Sequence, residues 1–232
     1  MFDRNKPSRA GAYPILCYVT DRQALPPDEA PDTSLKPKIE TLAAAGIDWV
    51  QIREKDLAGK KIAAIARAGL RLADADATVG VGRPAPRIVI NDRLDVAIAV
   101  GAGGVHLGEK SLPAREARLV VEKTGLTDFL VGVSCHSASS ARIAEQDGAS
   151  YAFFGPVFAT PSKATYGAPQ GIALLADTCR SVSIPVIAIG GITLENAGAC
   201  FAAGAAGIAA IRLFQAAADP AALILALRAA AK

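Results

Sequence analysis

Two cations and an amide at the end of one short apolar run carry the first chemical signal in this sequence. The run Trp49–Ile52 contains Gln51 and leads into Arg53 and Lys55, each of which is followed by an acid. If the run is a β-strand, alternation places Gln51, Arg53 and Lys55 on one side, toward the mouth of a barrel. An arginine fork and a lysine charge beside an amide suit a diphosphate or another multiply charged anion. A solvated loop carrying charges of both signs is the alternative interpretation.

Acids close the next two apolar runs. Ile90 is followed by Asn91 and Asp92, and the run Gly104–Leu107 is followed by Gly108 and Glu109. Mg²⁺ binds one or two carboxylates and completes its shell with phosphate oxygens and water, so Asp92 beside an anion site is a candidate ligand. The alternative for Asp92 is an N-cap on a helix beginning at Leu94.

The chain contains two histidines, His106 and His136, without a cysteine pair or a paired-histidine motif, which argues against a zinc site. His136 follows Ser134 and Cys135, and its side chain is suited to carrying a proton near neutral pH. The alternative is a hydrogen-bonded histidine at a strand end with no catalytic role. Alternation points Cys135 away from Ser134 and His136, which argues against a thiol nucleophile.

Later loops offer a second set of anion-binding groups. Thr160, Ser162 and Lys163 follow the sixth apolar run, and Gly190-Gly191 follows the seventh, where the missing side chains let backbone N–H groups approach a ligand. Arg212 closes the eighth run. Phosphate sites in barrels commonly use the loops after the last two strands, so the sequence predicts two phosphorylated partners.

The elements that must position these residues alternate along the chain. Apolar runs rich in β-branched residues occur at Ile15–Thr20, Trp49–Ile52, Ile88–Ile90, Gly104–Leu107, Leu130–Ser134, Ala152–Gly155, Val186–Ile189 and Gly207–Ile211. Helical patterns lie between them, for example at Leu35–Ala45, Lys60–Asp74, Ala138–Asp147, Leu174–Arg180 and Asn196–Ala203. This pattern predicts an α/β fold, a single (β/α)₈ TIM barrel over residues 13–232 after an N-terminal tail at 1–12.

Composition narrows the function classes. The chain is 51% hydrophobic but only 5% aromatic, and its net charge of +3 is scattered. We therefore expect no nucleic-acid partner. No signal-peptide or membrane-spanning pattern is present, and the four cysteines are widely spaced, so we expect a cytoplasmic protein that does not bind membranes. A homo-oligomer is compatible with the sequence.

With these motifs in order, the sequence resembles the thiamine phosphate synthase and thiazole tautomerase family from about Tyr13 to about Gln215. The matching stretches are Tyr18-Val19-Thr20-Asp21, Gln51-Ile52-Arg53-Glu54-Lys55, Ile90-Asn91-Asp92-Arg93, Gly104-Val105-His106-Leu107-Gly108, Ser134-Cys135-His136, Thr160-Pro161-Ser162-Lys163 and Ala188-Ile189-Gly190-Gly191-Ile192. The resemblance implies a synthase that joins hydroxymethylpyrimidine diphosphate to thiazole phosphate and releases diphosphate with Mg²⁺. It further implies that Gln51, Arg53, Lys55 and Asn91 bind the pyrimidine diphosphate, Asp92 the metal, Lys163 the leaving diphosphate, Ser134, Thr160 and Ser162 further substrate atoms, and Gly191 the thiazole phosphate.

Two departures from the family pattern bear on this function. Where typical synthases have a second aspartate as metal ligand, this chain has Ser111, preceded by Glu109 and Lys110. Glu109 is a candidate replacement ligand. Arg212 stands where the family usually has a small serine near the thiazole phosphate.

These departures leave two alternatives. The first is a metal-independent thiazole tautomerase with His136 as its acid and base. The second is a non-catalytic barrel that binds a thiamine precursor. The synthase is preferred because Lys55, Asn91, Asp92 and Lys163 all match, and an enzyme without a diphosphate substrate has little use for so many anion-binding groups.

Overall fold

The fold is an eight-stranded parallel barrel, seen in a computed structural model that describes residues 14–25, 31–74, 85–160 and 168–231. The strands are β1 (Ile15–Val19), β2 (Trp49–Ile52), β3 (Arg87–Asn91), β4 (Gly104–Leu107), β5 (Leu130–Cys135), β6 (Tyr151–Phe154), β7 (Val186–Ile189) and β8 (Gly207–Ala210). Each strand pairs in parallel with the next, and β8 pairs with β1 to close the sheet. The predicted (β/α)₈ barrel is confirmed.

Helices alternate with the strands along the described chain. They are α1 (Pro31–Ala45), α2 (Gly59–Asp74), α3 (Leu94–Val100), α4 (Ala114–Thr124), α5 (Ala138–Gln146), α6 (Gly171–Ser181), α7 (Leu194–Ala202), α8 (Arg212–Gln215) and α9 (Pro220–Ala229), with a short 3₁₀ helix at Arg22–Ala24. The final helix begins as its sequence indicates, because the Asp219 side chain accepts a hydrogen bond from the Ala222 N–H and Pro220 occupies the first turn.

Alternation along the strands divides the apolar residues into two cores. One set, including Leu16, Val50, Ile90 and Val105, faces the surrounding helices. The other set fills the barrel interior with Cys17, Val19, Trp49, Tyr151, Phe153, Ile187 and Ala209. Polar side chains at the ends of β2 to β5 lie above this interior layer, at the end of the barrel where catalytic groups are found in this fold.

Within the described residues, no helix combines the length and the apolar character needed to cross a bilayer. The N-terminal tail predicted at 1–12 lies outside the described residues.

Candidate active site

A row of hydrogen-bonded polar side chains crosses the ends of β2 and β3. The Gln51 amide donates from Nε2 to Asn91 Oδ1 at 2.8 Å, and Asn91 Nδ2 donates to Asp92 Oδ2 at 2.7 Å. Gln51 is buried, and its Oε1 has no hydrogen-bond partner within the described chain. A buried acceptor without a donor is costly, so this atom is available to a ligand N–H.

The Asp92 carboxylate is held by the β4–α4 loop. Its Oδ1 accepts hydrogen bonds from the Gly108 N–H at 3.2 Å and from the Ser111 hydroxyl. Asp92 also has φ 60°, a left-handed conformation that a non-glycine residue seldom adopts. This backbone turns its carboxylate toward Ser111.

The helix-cap alternative for Asp92 is wrong. Helix α3 begins at Leu94, its N-cap residue is Arg93, and no side chain caps it. The Arg93 guanidinium instead pairs with Asp95 at 2.6 Å. Asp92 therefore has no capping role that would account for its position.

Arg53 presents a cation without a counter-charge in the described part of the chain. Its side chain is half-buried, and its backbone N–H donates to Thr20 Oγ1 at 2.9 Å, which ties β2 to the end of β1. The two neighbouring acids are already bound, because Arg22 Nη1 lies 3.2 Å from Glu54 and 2.6 Å from Asp56. The pKa of Asp56 falls to about 2, chiefly through its hydrogen bond from Arg22.

The solvated-loop alternative for this segment does not hold as a whole. Glu54 is buried, and its carboxylate also accepts from the Arg22 backbone N–H. Lys55 is exposed, as a solvated residue would be. Arg22 thus binds both acids, and neither of them pairs with Arg53 among the described residues.

His106 lies inside the barrel rather than at its rim. Its Nε2 is 2.9 Å from Ser134 Oγ and its Nδ1 is 3.1 Å from Tyr151 Oη. Burial lowers the pKa of His106 to about 3; the charge of Asp92 opposes that shift and the charge of Arg53 adds to it. His106 is therefore a neutral ring at physiological pH.

His136 is a partly exposed ring at the end of β5. Its Nδ1 contacts the Gly155 carbonyl oxygen, and its Nε2 lies 3.7 Å from a Glu109 carboxylate oxygen. A hydrogen bond to that carbonyl requires a proton on Nδ1, which leaves Nε2 turned toward Glu109. The Glu109 carboxylate thus faces His136, whereas Ser111 is the residue that contacts Asp92.

Cys135 points away from this site, as alternation predicts. It lies in the outer core between β5 and the helices, and burial raises the pKa of its thiol to about 11. A thiol with this pKa is protonated near neutral pH and is a poor nucleophile.

Two glycines after β7 allow the backbone to pass close to the segment that follows β6. Gly190 and Gly191 have φ 96° and 64°, and a Cβ at position 191 would lie 2.5 Å from the Ala159 carbonyl oxygen. The Asn196 amide donates to the Gly191 carbonyl at 2.9 Å and shapes the turn before α7. Arg212 is exposed at the start of α8.

The structure brings some of the predicted site residues together and leaves others aside. Gln51, Asn91, Asp92 and Ser111 form one continuous network, and Ser134 joins a second one through His106. Thr160 is partly buried at the end of the described β6–α6 segment. Ser162 and Lys163 lie outside the described residues.

Sequence reasoning missed three residues that shape this site. Thr20 holds the Arg53 backbone, Arg22 pairs with Glu54 and Asp56, and Tyr151 binds His106. The signal for Tyr151 was a polar hydroxyl in an otherwise apolar strand. No local signal indicated Arg22, since its partners lie more than thirty positions away in the chain.

No cluster of three or more histidine, cysteine, aspartate or glutamate side chains suited to a metal ion occurs in the described ranges. A metal at Asp92 would therefore draw most of its ligands from substrate oxygens and water.

Comparisons with known proteins show which family this chain belongs to. Residues 16–214 match the family described as thiamine monophosphate synthase. A protein of Geobacter sulfurreducens named putative thiamine-phosphate synthase is 44% identical over 205 residues, which cover 88% of each chain. The thiamine-phosphate synthase of Roseiflexus castenholzii is 36% identical over 92% of this chain and 86% of its own.

A solved structure agrees with this family assignment. The thiamine phosphate pyrophosphorylase of Pyrococcus furiosus superposes with a TM-score of 0.75 at 29% identity, covering 93% of this chain and 94% of its own.

Proposed function

The chain belongs to the thiamine monophosphate synthase family, and we propose that its barrel joins hydroxymethylpyrimidine diphosphate to thiazole phosphate with release of diphosphate. It is thus a transferase of thiamine biosynthesis, with two small phosphorylated substrates. The observation that carries the proposal is the row Gln51–Asn91–Asp92 at the barrel mouth, beside Arg53, whose guanidinium has no counter-charge among the described residues. This row offers an amide acceptor, a carboxylate and a cation within one site.

Gln51 and Asn91 are proposed to orient the pyrimidine diphosphate. The unpartnered Gln51 Oε1 accepts a hydrogen bond from a substrate N–H, while its Nε2 remains on Asn91. Ser134 and Thr160 are proposed to contact further substrate atoms, and the same role is proposed for Ser162. Because Gln51 is anchored before substrate arrives, little side-chain entropy is lost on binding.

Arg53, Lys55 and Lys163 are proposed to stabilise the leaving diphosphate. Breaking the bond between pyrimidine and diphosphate places growing negative charge on the leaving group, so fixed cations stabilise the transition state more than the ground state. The thiazole nitrogen then attacks the pyrimidine carbocation. This route needs no protein nucleophile, which agrees with the buried, protonated Cys135.

The residues around Asp92 fit a Mg²⁺ site with one carboxylate. Asp92 would supply carboxylate oxygen ligands. The Ser111 hydroxyl, which donates to Asp92 Oδ1, is a neutral oxygen at the place where a second carboxylate would raise the metal affinity. When bound, Mg²⁺ supplies positive charge that offsets the charge on the diphosphate. Glu109, which faces His136, is not assigned to the metal.

The thiazole phosphate is proposed to bind at the loops after β7 and β8. Gly190 and Gly191 offer backbone N–H groups there, and the exposed Arg212 adds a guanidinium suited to phosphate. We further propose a cytoplasmic location, supported by four cysteines that are all free thiols. We also propose that the chain can form a homo-oligomer.

The test is to incubate the purified chain with both substrates, with and without Mg²⁺, and to follow thiamine phosphate by chromatography. We expect product, formed faster with Mg²⁺. Product without any Mg²⁺ effect would remove Asp92 from metal binding.

No product would contradict the synthase. Isomerisation of thiazole carboxylate phosphate by the same preparation, abolished in His136→Gln, would then identify the tautomerase. Tight binding of a thiamine precursor without either reaction would identify the non-catalytic barrel.

A further inference from the structure

A chain of hydrogen bonds runs from the barrel interior to the proposed substrate site. It begins at the Tyr151 hydroxyl on β6, passes through the imidazole of His106 on β4, and ends at the Ser134 hydroxyl on β5. Tyr151 and His106 are both buried, whereas Ser134 is partly exposed near the end of its strand.

Packing fixes the two rings of this chain. The Tyr151 ring packs edge-on against Trp49 with centroids 4.8 Å apart, and the His106 ring lies 4.2 Å from that of Phe153. Gly132 makes room for Tyr151, since a Cβ at that position would lie 2.1 Å from Cζ of the ring. The positions of both ring nitrogens of His106 are therefore set by the interior packing.

The number of donors and acceptors assigns the protons. Within the described residues the Tyr151 hydroxyl has one hydrogen-bond partner, His106 Nδ1. If the phenol accepted a proton from Nδ1, its own buried proton would have no acceptor, at a cost of about 1–3 kcal/mol. The phenol therefore donates, and Nδ1 accepts.

One proton remains on the neutral imidazole, and it lies on Nε2. Nε2 then donates to Ser134 Oγ at 2.9 Å. This bond uses one of the two acceptor lone pairs of the serine hydroxyl and leaves its proton unused. No acceptor for the Ser134 proton is found among the described residues, so that proton is available to a ligand at the partly exposed end of β5.

We propose that Tyr151 and His106 are positioning residues that keep the Ser134 proton free to be donated to a phosphate oxygen of the diphosphate substrate. This proposal rests on the synthase function, because a diphosphate presents only acceptors to this hydroxyl. A neutral donor here adds binding without further charge near Arg53.

The first test is the protonation state of His106, which needs no substrate. Histidine-labelled full-length protein is studied by two-bond ¹H–¹⁵N correlation spectroscopy near pH 7, with His136→Gln used to assign the two rings. We expect a neutral His106 ring with its proton on Nε2. A proton on Nδ1, or on both nitrogens, would overturn the assignment.

The second test measures inorganic diphosphate affinity by calorimetry in a double-mutant cycle. Ser134→Ala is expected to weaken binding about tenfold, the effect of losing one hydrogen bond to a charged group. Tyr151→Phe keeps the ring but frees the imidazole to change tautomer, and is expected to weaken binding roughly two- to fivefold.

The two effects are expected to be non-additive. In the Ser134→Ala background, Tyr151→Phe should leave diphosphate affinity unchanged, because Tyr151 acts only through the serine. An equal loss in both backgrounds would mean that Tyr151 only supports the barrel, and would overturn the proposal. Melting temperatures of all variants identify any that fail to fold. If one of them fails, the His106 tautomer seen in the ¹H–¹⁵N spectrum of the wild-type protein decides whether the proposal holds.

Different results would overturn the positioning role of Tyr151 and His106 and the synthase function. Thiamine phosphate formation with the His106 proton on Nδ1 would overturn the positioning role alone. The Nε2 tautomer in a protein that binds diphosphate through Ser134 but forms no product would overturn the synthase alone.

Discussion

At the scale of single residues, Arg53 is the cation on which the proposed chemistry most depends. Its guanidinium has no counter-charge in the described chain, while Arg22 binds both neighbouring acids. Arg53→Ala is expected to lower kcat about 100-fold, the usual effect of removing one donor that faces developing charge. Steady-state rates with the diphosphate substrate test this.

Arg67→Ala provides the matched control, since Arg67 is an exposed arginine on α2 outside the site. Its rate should equal that of the wild type. A normal rate in Arg53→Ala would remove Arg53 from the mechanism.

Ser111 contacts Asp92 at the position where typical synthases carry a second carboxylate. Ser111→Asp is expected to tighten Mg²⁺ binding, because Mg²⁺ prefers a second anionic oxygen. Without metal, the two adjacent carboxylates repel each other, so the variant should melt at a lower temperature than wild type and gain more from added Mg²⁺.

Thermal melting with and without Mg²⁺ measures both effects, and Ser111→Asn controls for side-chain size. An equal Mg²⁺ response in Ser111→Asp and wild type would show that position 111 does not face the metal.

At the scale of elements, Gly132 on β5 leaves the space that the Tyr151 ring of β6 occupies inside the barrel. A Cβ at Gly132 would overlap the buried Tyr151 ring. Gly132→Ala should therefore destabilise the protein by about 1–3 kcal/mol through overpacking. Denaturant unfolding measures this change.

Gly125→Ala is the control for the loss of a glycine, since Gly125 has φ 72° and open space around it. It should cost about 1 kcal/mol from its left-handed backbone alone. A smaller loss in Gly132→Ala than in Gly125→Ala would contradict tight packing around Tyr151.

Most strand boundaries could be read from sequence because each strand is a short β-branched run between turn residues. Trp49–Ile52, Gly104–Leu107 and Val186–Ile189 match the observed strands at both ends. Helix ends differ more: α6 begins at Gly171, three residues before the predicted Leu174. The sequence there lacks a capping residue, and Gln170 makes no side-chain cap.

At the scale of the whole molecule, the two ends of the barrel have separate roles. Far from the mouth, Arg228 on α9 donates to the Pro14 and Gly46 carbonyl oxygens and to the Asp48 carboxylate at 3.0 Å. Asp48 also accepts from the Leu16 N–H. These bonds join the last helix to the first two strands.

Arg228→Met is expected to reduce the free energy of unfolding by about 3 kcal/mol, because it leaves Asp48 partly buried without its cation. The rate constant kcat should be unchanged at temperatures where the variant is folded. Arg180→Met breaks an exposed pair with Asp177 and should cost less than about 1 kcal/mol. Equal losses in the two variants would contradict the structural role of Arg228.

Global stability should depend on pH through His106. Its pKa falls from the usual 6.5 to about 3 in the folded protein, so the unfolded chain binds one more proton between these values. Stability therefore rises with pH across this window, and falls on acidification below about 6.5, by up to about 1.4 kcal/mol per pH unit. Unfolding curves of wild type and His106→Gln test this, and identical slopes would contradict a buried neutral His106.

The sequence by itself determined the barrel and the principal polar residues of its mouth, because hydrophobic periodicity and strand-end chemistry are local properties. Gln51, Asn91 and Asp92 were recognisable from their places after apolar runs. Only the tertiary structure decided how they bond: Asp92 to Ser111, Glu109 toward His136, and Arg22 to the acids beside Arg53. Such partners are distant in the chain, and the parallel pairing of neighbouring strands brings them together. Tyr151 on β6 and His106 on β4 meet inside the barrel, a contact that no sequence spacing encodes.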